Sequence, residues 1–174
     1  MTHRYAVVLG LAAVVVALDQ WSKWYIRGTV ALYESIVIVP SFFQITHTRN
    51  SGGAFSIFAG ADDAVRVPFF LGVSLVAIVA LLYFVRSVEA RRWSMLAALG
   101  GILGGAIGNL IDRMLYGQVT DFLDVHWHDY HWPVFNVADS CITVGVLVLL
   151  AHSFFARDAA DENTLGQVPD LPLR

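Results

Sequence analysis

The carboxylates at positions 19, 112, 121, 124 and 139, with Lys23, Asn109 and Arg113, are the groups through which this 174-residue chain could do chemistry. Two carboxylates held together share a proton, so that one is ionised and the other neutral. The ionised one can activate water while the neutral one donates a hydrogen bond to a carbonyl oxygen, as in aspartic proteases. No serine, thiolate or metal is then required. Which acids would pair depends on the elements that hold them.

Those elements belong to a membrane protein. Hydrophobic residues make up 57% of the chain and charged ones 14%, far more apolar than a soluble domain. A net charge of -3 argues for no charged partner, nucleic acid included. The lone Cys141 lies in an apolar run, which excludes an internal disulfide and a cysteine-based zinc site.

A hydrocarbon core of about 30 Å needs roughly 20 helical residues. Segments 67–85 and 93–111 contain no charged side chain and read as spans. The first span starts near Tyr5, and its purely apolar part ends at Leu18, so DQWSKWYI must complete the crossing. A cleaved signal peptide with a cut after Ala17 is the rival reading, opposed by the aromatic helix end WSKWYI. The fourth span can start only after Pro133, with Asn136 as N-cap and helix over 137–156.

Four crossings put the long joining segments 28–66 and 112–132 on one side and the short segment RSVEARR on the other with both termini. Arg86, Arg91 and Arg92, with Arg4 and Arg157, assign that second side to the cytoplasm. Residues 1–157 then form a single transmembrane domain, and 158–174 are expected to be a polar, disordered cytoplasmic tail. Around Pro40, IVIVPSFFQITHT predicts two short strands, followed by the Gly-rich turn NSGGAF. The predicted architecture is mainly α, a four-transmembrane-helix bundle with a small extracytoplasmic β-sheet.

This layout brings the end of span one, the end of span three and the start of span four to the outer face. Asp19, Lys23, Asn109, Asp112, Arg113, Asp121, Asp124 and Asp139 should therefore lie at similar depth. Each also has a plainer role. Asp19 and Lys23 are spaced for a helical ion pair beside interfacial aromatics. Asn136-x-x-Asp139 resembles a capping box. Asn109 could bond between helices, and Asp121 and Asp124 could be solvated loop acids. In span three, Gly100, Gly104 and Gly108 form one row of small residues and Gly101 and Gly105 a second, which favours close helix approach in lipid. The stretch HWHDYHW makes a metal site conceivable through its histidines and Asp129, but interleaved aromatics read as interface anchors.

Five stretches in order resemble the bacterial lipoprotein signal peptidases: DQWSK (19–23), NSGGAF (50–55), GGAIGNLIDR (104–113), VTDF (119–122) and FNVAD (135–139). The resemblance covers nearly all the chain between Asp19 and Ser140. It implies an aspartic endopeptidase that cuts diacylglyceryl-modified prolipoproteins before the lipidated cysteine, at the outer leaflet of the cytoplasmic membrane. By resemblance the catalytic pair is Asp121 and Asp139. Asp19, Lys23, Asn50, Gly52, Asn109, Asp112, Arg113 and Asn136 fall among the residues that bind substrate or support the site. Gly53 stands where the family often has Ala. Lipidated substrate and membrane lipid are the implied partners, and neither metal nor other cofactor is implied. A small transporter or scaffold is the alternative, disfavoured because the middles of spans two and three hold no ionisable group.

Overall fold

The computed structural model describes residues 2–52 and 62–165; Gly53 and the rest of the Gly-rich turn, like 166–174, lie outside them. Four helices are long and apolar enough to cross a membrane: α1 (Thr2–Thr29), α2 (Asp63–Phe84), α3 (Trp93–Tyr116) and α4 (Val137–Leu165). Four strands, β1 (Ser35–Val39), β2 (Phe43–Asn50), β3 (Val119–Trp127) and β4 (Tyr130–His131), form an antiparallel sheet in chain order.

Helix α3 is the centre of the bundle, touching α1, α2 and α4. Its two glycine rows make this possible, and each row has its own partner. On the first row, a Cβ at Gly104 would lie 2.7 Å from the Ala12 carbonyl oxygen and one at Gly108 2.5 Å from Asp19 Oδ2. On the second, a Cβ at Gly105 would collide with the Ala138 carbonyl. Removing side chains thus lets α1 and α4 both press on α3 without solvent or lipid between. Outward positions such as Val14, Leu18, Val76, Val79, Val144 and Leu147 remain exposed, as lipid-facing side chains should.

The two ends of the bundle differ. At one end Val8, Val85, Val88, Leu96 and Leu99 make an apolar core. Arg4 closes that end, its guanidinium donating to the carbonyls of Arg86 and Val88 at 2.8 and 2.6 Å. The first residues of α1 therefore meet the α2–α3 connection, as the count of crossings predicts. At the other end sit the sheet and the buried charges.

Two boundaries differ from the sequence reading. Span three does not give way to a loop at 112: α3 runs on through Asp112 and Arg113 to Tyr116. Nothing in IDRMLY breaks a helix, and the stop is Gly117, whose left-handed φ of 71° suits a glycine C-terminal cap. Likewise α4 continues to Leu165, so residues 158–165, expected in a disordered tail, are helical. Their DAADENTL sequence contains no Gly or Pro, the first breaker being Gly166.

The strands on either side of Pro40 form as expected. Pro40 fixes the first central residue of the turn, Ser41 follows at φ 59°, and Phe42 N–H closes the turn on the Val39 carbonyl at 3.1 Å. The register of β2 against β3 shifts between Ile45 and Thr48. Beyond that shift Thr48 opposes Asp121 and Asn50 opposes Val119, so the end of β2 lies alongside the first residues of β3.

Candidate active site

Asp121 and Asp139 reach one cleft from different elements. Asp121 is the third residue of β3, and Asp139 lies in the first turn of α4. The cleft has a volume of about 1140 Å³, and Asn50, Asn109, Arg113 and Phe135 are also in its wall.

Each carboxylate is held by amide donors. Asp121 accepts from Asn136 Nδ2 at 2.6 Å and from Asn50 Nδ2 at 3.0 Å. Asp139 accepts from Asn109 Nδ2 at 2.8 Å and from the Asn136 backbone N–H at 3.2 Å. The Asp139 N–H returns a bond to Asn136 Oδ1 at 3.0 Å, completing the capping box. Asn136 is thus bonded to both aspartates. Burial first, then the charge of Asp139, push the Asp121 carboxyl up to about 7, against the hydrogen bonds from Asn50 and Asn136 and the charge of Lys23.

A second layer fixes the asparagines. Lys23 Nζ lies 2.8 Å from Asp19 Oδ2, 3.5 Å from Asp112 Oδ2 and 2.9 Å from Asn109 Oδ1, and Lys23, Asp19 and Asp112 are wholly buried. An ammonium can only donate, so the Asn109 atom facing it is the oxygen. The amide NH₂ of Asn109 is thereby turned toward Asp139. Asp19 Oδ1 accepts the Ala138 N–H at 3.0 Å, filling a free donor at the start of α4. Asp112 Oδ2 accepts the Thr120 N–H at 2.9 Å and pins the start of β3. The buried charges therefore position the two backbone segments that carry Asp121 and Asp139.

Residues 11–155 match the family model described as signal peptidase (SPase) II. The chain belongs to the signal peptidase II family. It is 48% identical over 147 residues to a lipoprotein signal peptidase of Syntrophotalea carbinolica, covering 84% of this chain and 90% of that one. With a lipoprotein signal peptidase of Geobacter sulfurreducens it shares 49% identity over 144 residues, 83% of this chain and 86% of the other. Two solved bacterial membrane enzyme structures share the fold, each with a TM-score of 0.73. One is 33% identical over 83% of this chain and 90% of its own; the other is 30% identical over 96% and 94%. As a member of the signal peptidase II family the chain is a protease, and its four apolar helices make it a multi-pass membrane protein.

The ten residues that the resemblance assigns to the pair and its support lie around this cleft or in the charge layer behind it. Gly52 is in the cleft wall, its N–H bonded to Asn50 Oδ1 at 3.1 Å, and Arg113 stacks over Phe70 at 5.0 Å. Asp124 is buried on the same strand as Asp121 but bonds Gln44 and His131 instead. Two participants escaped the sequence reading. Gln20 Nε2 bridges the Gly108 carbonyl at 3.0 Å, Asp19 Oδ2 at 3.1 Å and Asp112 Oδ1 at 3.3 Å. Thr120 joins the layer through its N–H and through Oγ1, which accepts from Arg27 at 3.0 Å. They sit inside the motifs DQWSK and VTDF, next to Asp19 and Asp121.

Proposed function

We propose that this protein is an aspartic endopeptidase of the bacterial inner membrane. It removes the signal peptide from diacylglyceryl-modified prolipoproteins by cutting before the lipidated cysteine. The observation that carries the reading is the pair Asp121 and Asp139, brought to one cleft from a strand and a helix start and each gripped by amide donors.

The pair shares one proton. The ionised carboxylate takes a proton from water as the water oxygen attacks the scissile carbonyl, and the neutral one hydrogen-bonds the carbonyl oxygen as its negative charge develops. Collapse of the tetrahedral intermediate expels the amine, which takes up a proton from the pair. Asn109 and Arg113 grip substrate backbone or lipid polar groups. The sheet edge and the NSGGAF turn, of which residues 53–55 lie outside the described residues, clamp the peptide. Residues 1–157 act as one domain. Both termini are cytoplasmic, on the side of Arg86, Arg91 and Arg92, and the site faces the extracytoplasmic side, where acyl chains stay in the bilayer while the peptide bond meets the carboxylates.

The substrate assignment is tested with purified protein in detergent and two lipobox peptides differing only in the diacylglyceryl group. The lipidated peptide is expected to be cut before its cysteine at least about 100-fold more efficiently, because binding energy from the remote acyl chains is used at the reacting bond. Equal cleavage of both peptides, or of neither, contradicts the assignment.

Activity should also depend on pH with a defined sign. Below about 7 Asp121 holds its proton; as pH rises through that value the pair becomes doubly ionised and loses its donor. kcat/KM is expected to fall about tenfold per pH unit on that alkaline limb. A profile flat through pH 9 would contradict a shared proton.

A further inference from the structure

Beyond the dyad, β3 carries a second cluster. Strand alternation puts Asp124 and His126 on one face, and β4 returns His131 opposite His126. Among the described residues these three offer ligand atoms that all lie within 4.8 Å of one another. His131 Nδ1 is 2.8 Å and His126 Nδ1 3.7 Å from Asp124 Oδ1. The two imidazoles stack with centroids 4.5 Å apart. Gln44 Nε2 donates to Asp124 Oδ2 at 2.6 Å and orients the carboxylate.

An acid and a histidine alone would make an ion pair, which accounts for His131. It does not account for His126. That side chain is only 9% exposed, yet its Nδ1 is buried without a hydrogen-bond partner among the described residues. An unpaired buried ring nitrogen costs free energy, and this one lies 3.7 Å from Asp124 Oδ1.

We infer that Asp124, His126 and His131 bind one divalent transition-metal ion of the zinc class, with water as the fourth ligand. Bonds of about 2.0–2.1 Å in a tetrahedral site place ligand atoms about 3.3 Å apart. The separations of 2.8 and 3.7 Å from Asp124 Oδ1 bracket that value, and all three ligand atoms lie within 4.8 Å of one another. The carboxylate can only accept while ionised, so His131 Nδ1 now donates to it; on metal binding that proton shifts to Nε2 and the Nδ1 lone pair is freed. The His131 side chain is 46% exposed, which leaves the ion a path from solvent. Gln44 serves as the outer donor to the ligating carboxylate. His131 and Trp132 also line the catalytic cleft, so the ion would clip the β3–β4 hairpin beside it. The sequence alone reads this stretch as interface anchors rather than a metal site; His128 and Asp129 are exposed at the hairpin turn, and the acid beside the histidines is Asp124.

The test uses the full chain in detergent, without a polyhistidine tag and stripped by a chelator, titrated with zinc and separately with cobalt(II). The expected result is one saturable equivalent of zinc by calorimetry, and visible ligand-field bands from cobalt that zinc displaces. His131→Ala and His126→Gln should lose that saturable binding, Gln44→Leu should weaken it about 10-fold or more, and His128→Ala should leave it intact. His131 is half exposed, so its variant is expected to fold, with circular dichroism and monodisperse elution as the check. Absence of saturable binding in the parent protein overturns the inference. So does parent-like binding by folded His131→Ala, or a loss in His128→Ala equal to that in His131→Ala.

Discussion

Lys23→Met should destabilise the protein by about 3–5 kcal/mol, the cost of leaving buried charge uncompensated. For a chain of this size that corresponds to a thermal midpoint lower by roughly 10 °C. Lys23 is wholly buried between Asp19 and Asp112, themselves wholly buried. Methionine fills the space but supplies no charge, so both carboxylates lose their shared cation. Asp19 then weakens at the start of α4 and Asp112 at the start of β3, the two places where Asp139 and Asp121 are carried. Turnover should fall as well, since Asn109 loses the contact that turns its NH₂ toward Asp139.

A second substitution separates charge from packing. Asp112 keeps Arg27 at 3.5 Å, so adding Asp19→Asn to Lys23→Met removes the carboxylate left without a cation, and part of the lost stability should return. Thermal melts of both variants in one detergent decide the matter. An unchanged midpoint in Lys23→Met, or a double variant less stable than the single by the full additive amount, would mean that the buried charges do not act as a unit.

Much of this architecture is legible in the sequence because lipid leaves the chain few choices. Charge-free stretches of span length had to be helices, and the crossing count then fixed which polar residues could meet. The two glycine rows of span three and the Asn136–Asp139 capping box are local patterns with a direct physical meaning, and both formed as read. Helix ends were harder to read. Asp112 and Arg113 look like the start of a loop when a charge is taken to end a span, whereas buried partners let the helix carry them to Gly117. The polar DAADENTL stretch reads as a tail because it has no apolar face, although it holds neither Gly nor Pro to stop the helix that precedes it.

Which of several equivalent acids meets which partner was not legible. Asp112, Asp121 and Asp124 are equivalent acids by spacing; what distinguishes them is that α3 aims the first at Lys23, while β3 sends the second to the cleft and the third to Gln44 and His131. Family resemblance selected Asp121 where the residues alone left the choice open. Gln20 and Thr120 carry no signal of their own in the sequence, yet they complete bonds that the charged residues leave open.

Replacing either Asp121 or Asp139 by Asn is expected to have the largest effect on activity, at least about 10³-fold in turnover. Each change keeps shape and one acceptor oxygen but removes the shared proton, so no pair remains to act as base and acid together. The double variant should be little worse than either single one, because residues that act as a unit do not add. Stability should move the other way at Asp121. Its folded-state value of about 7 lies above the ordinary carboxyl value, so the native state holds more protons and loses stability as pH rises toward and through 7. Asn cannot ionise, and at pH 8 Asp121→Asn should melt no lower than the parent.

The most direct measurement is the rate at which folded Asp121→Asn and Asp139→Asn, each verified by its melting profile, cleave a diacylglyceryl-modified lipobox peptide. The account predicts that both lose turnover while remaining folded. Near-parent cleavage by either folded variant would reduce that residue to a helix cap or a strand acid, and the proposed dyad would be wrong.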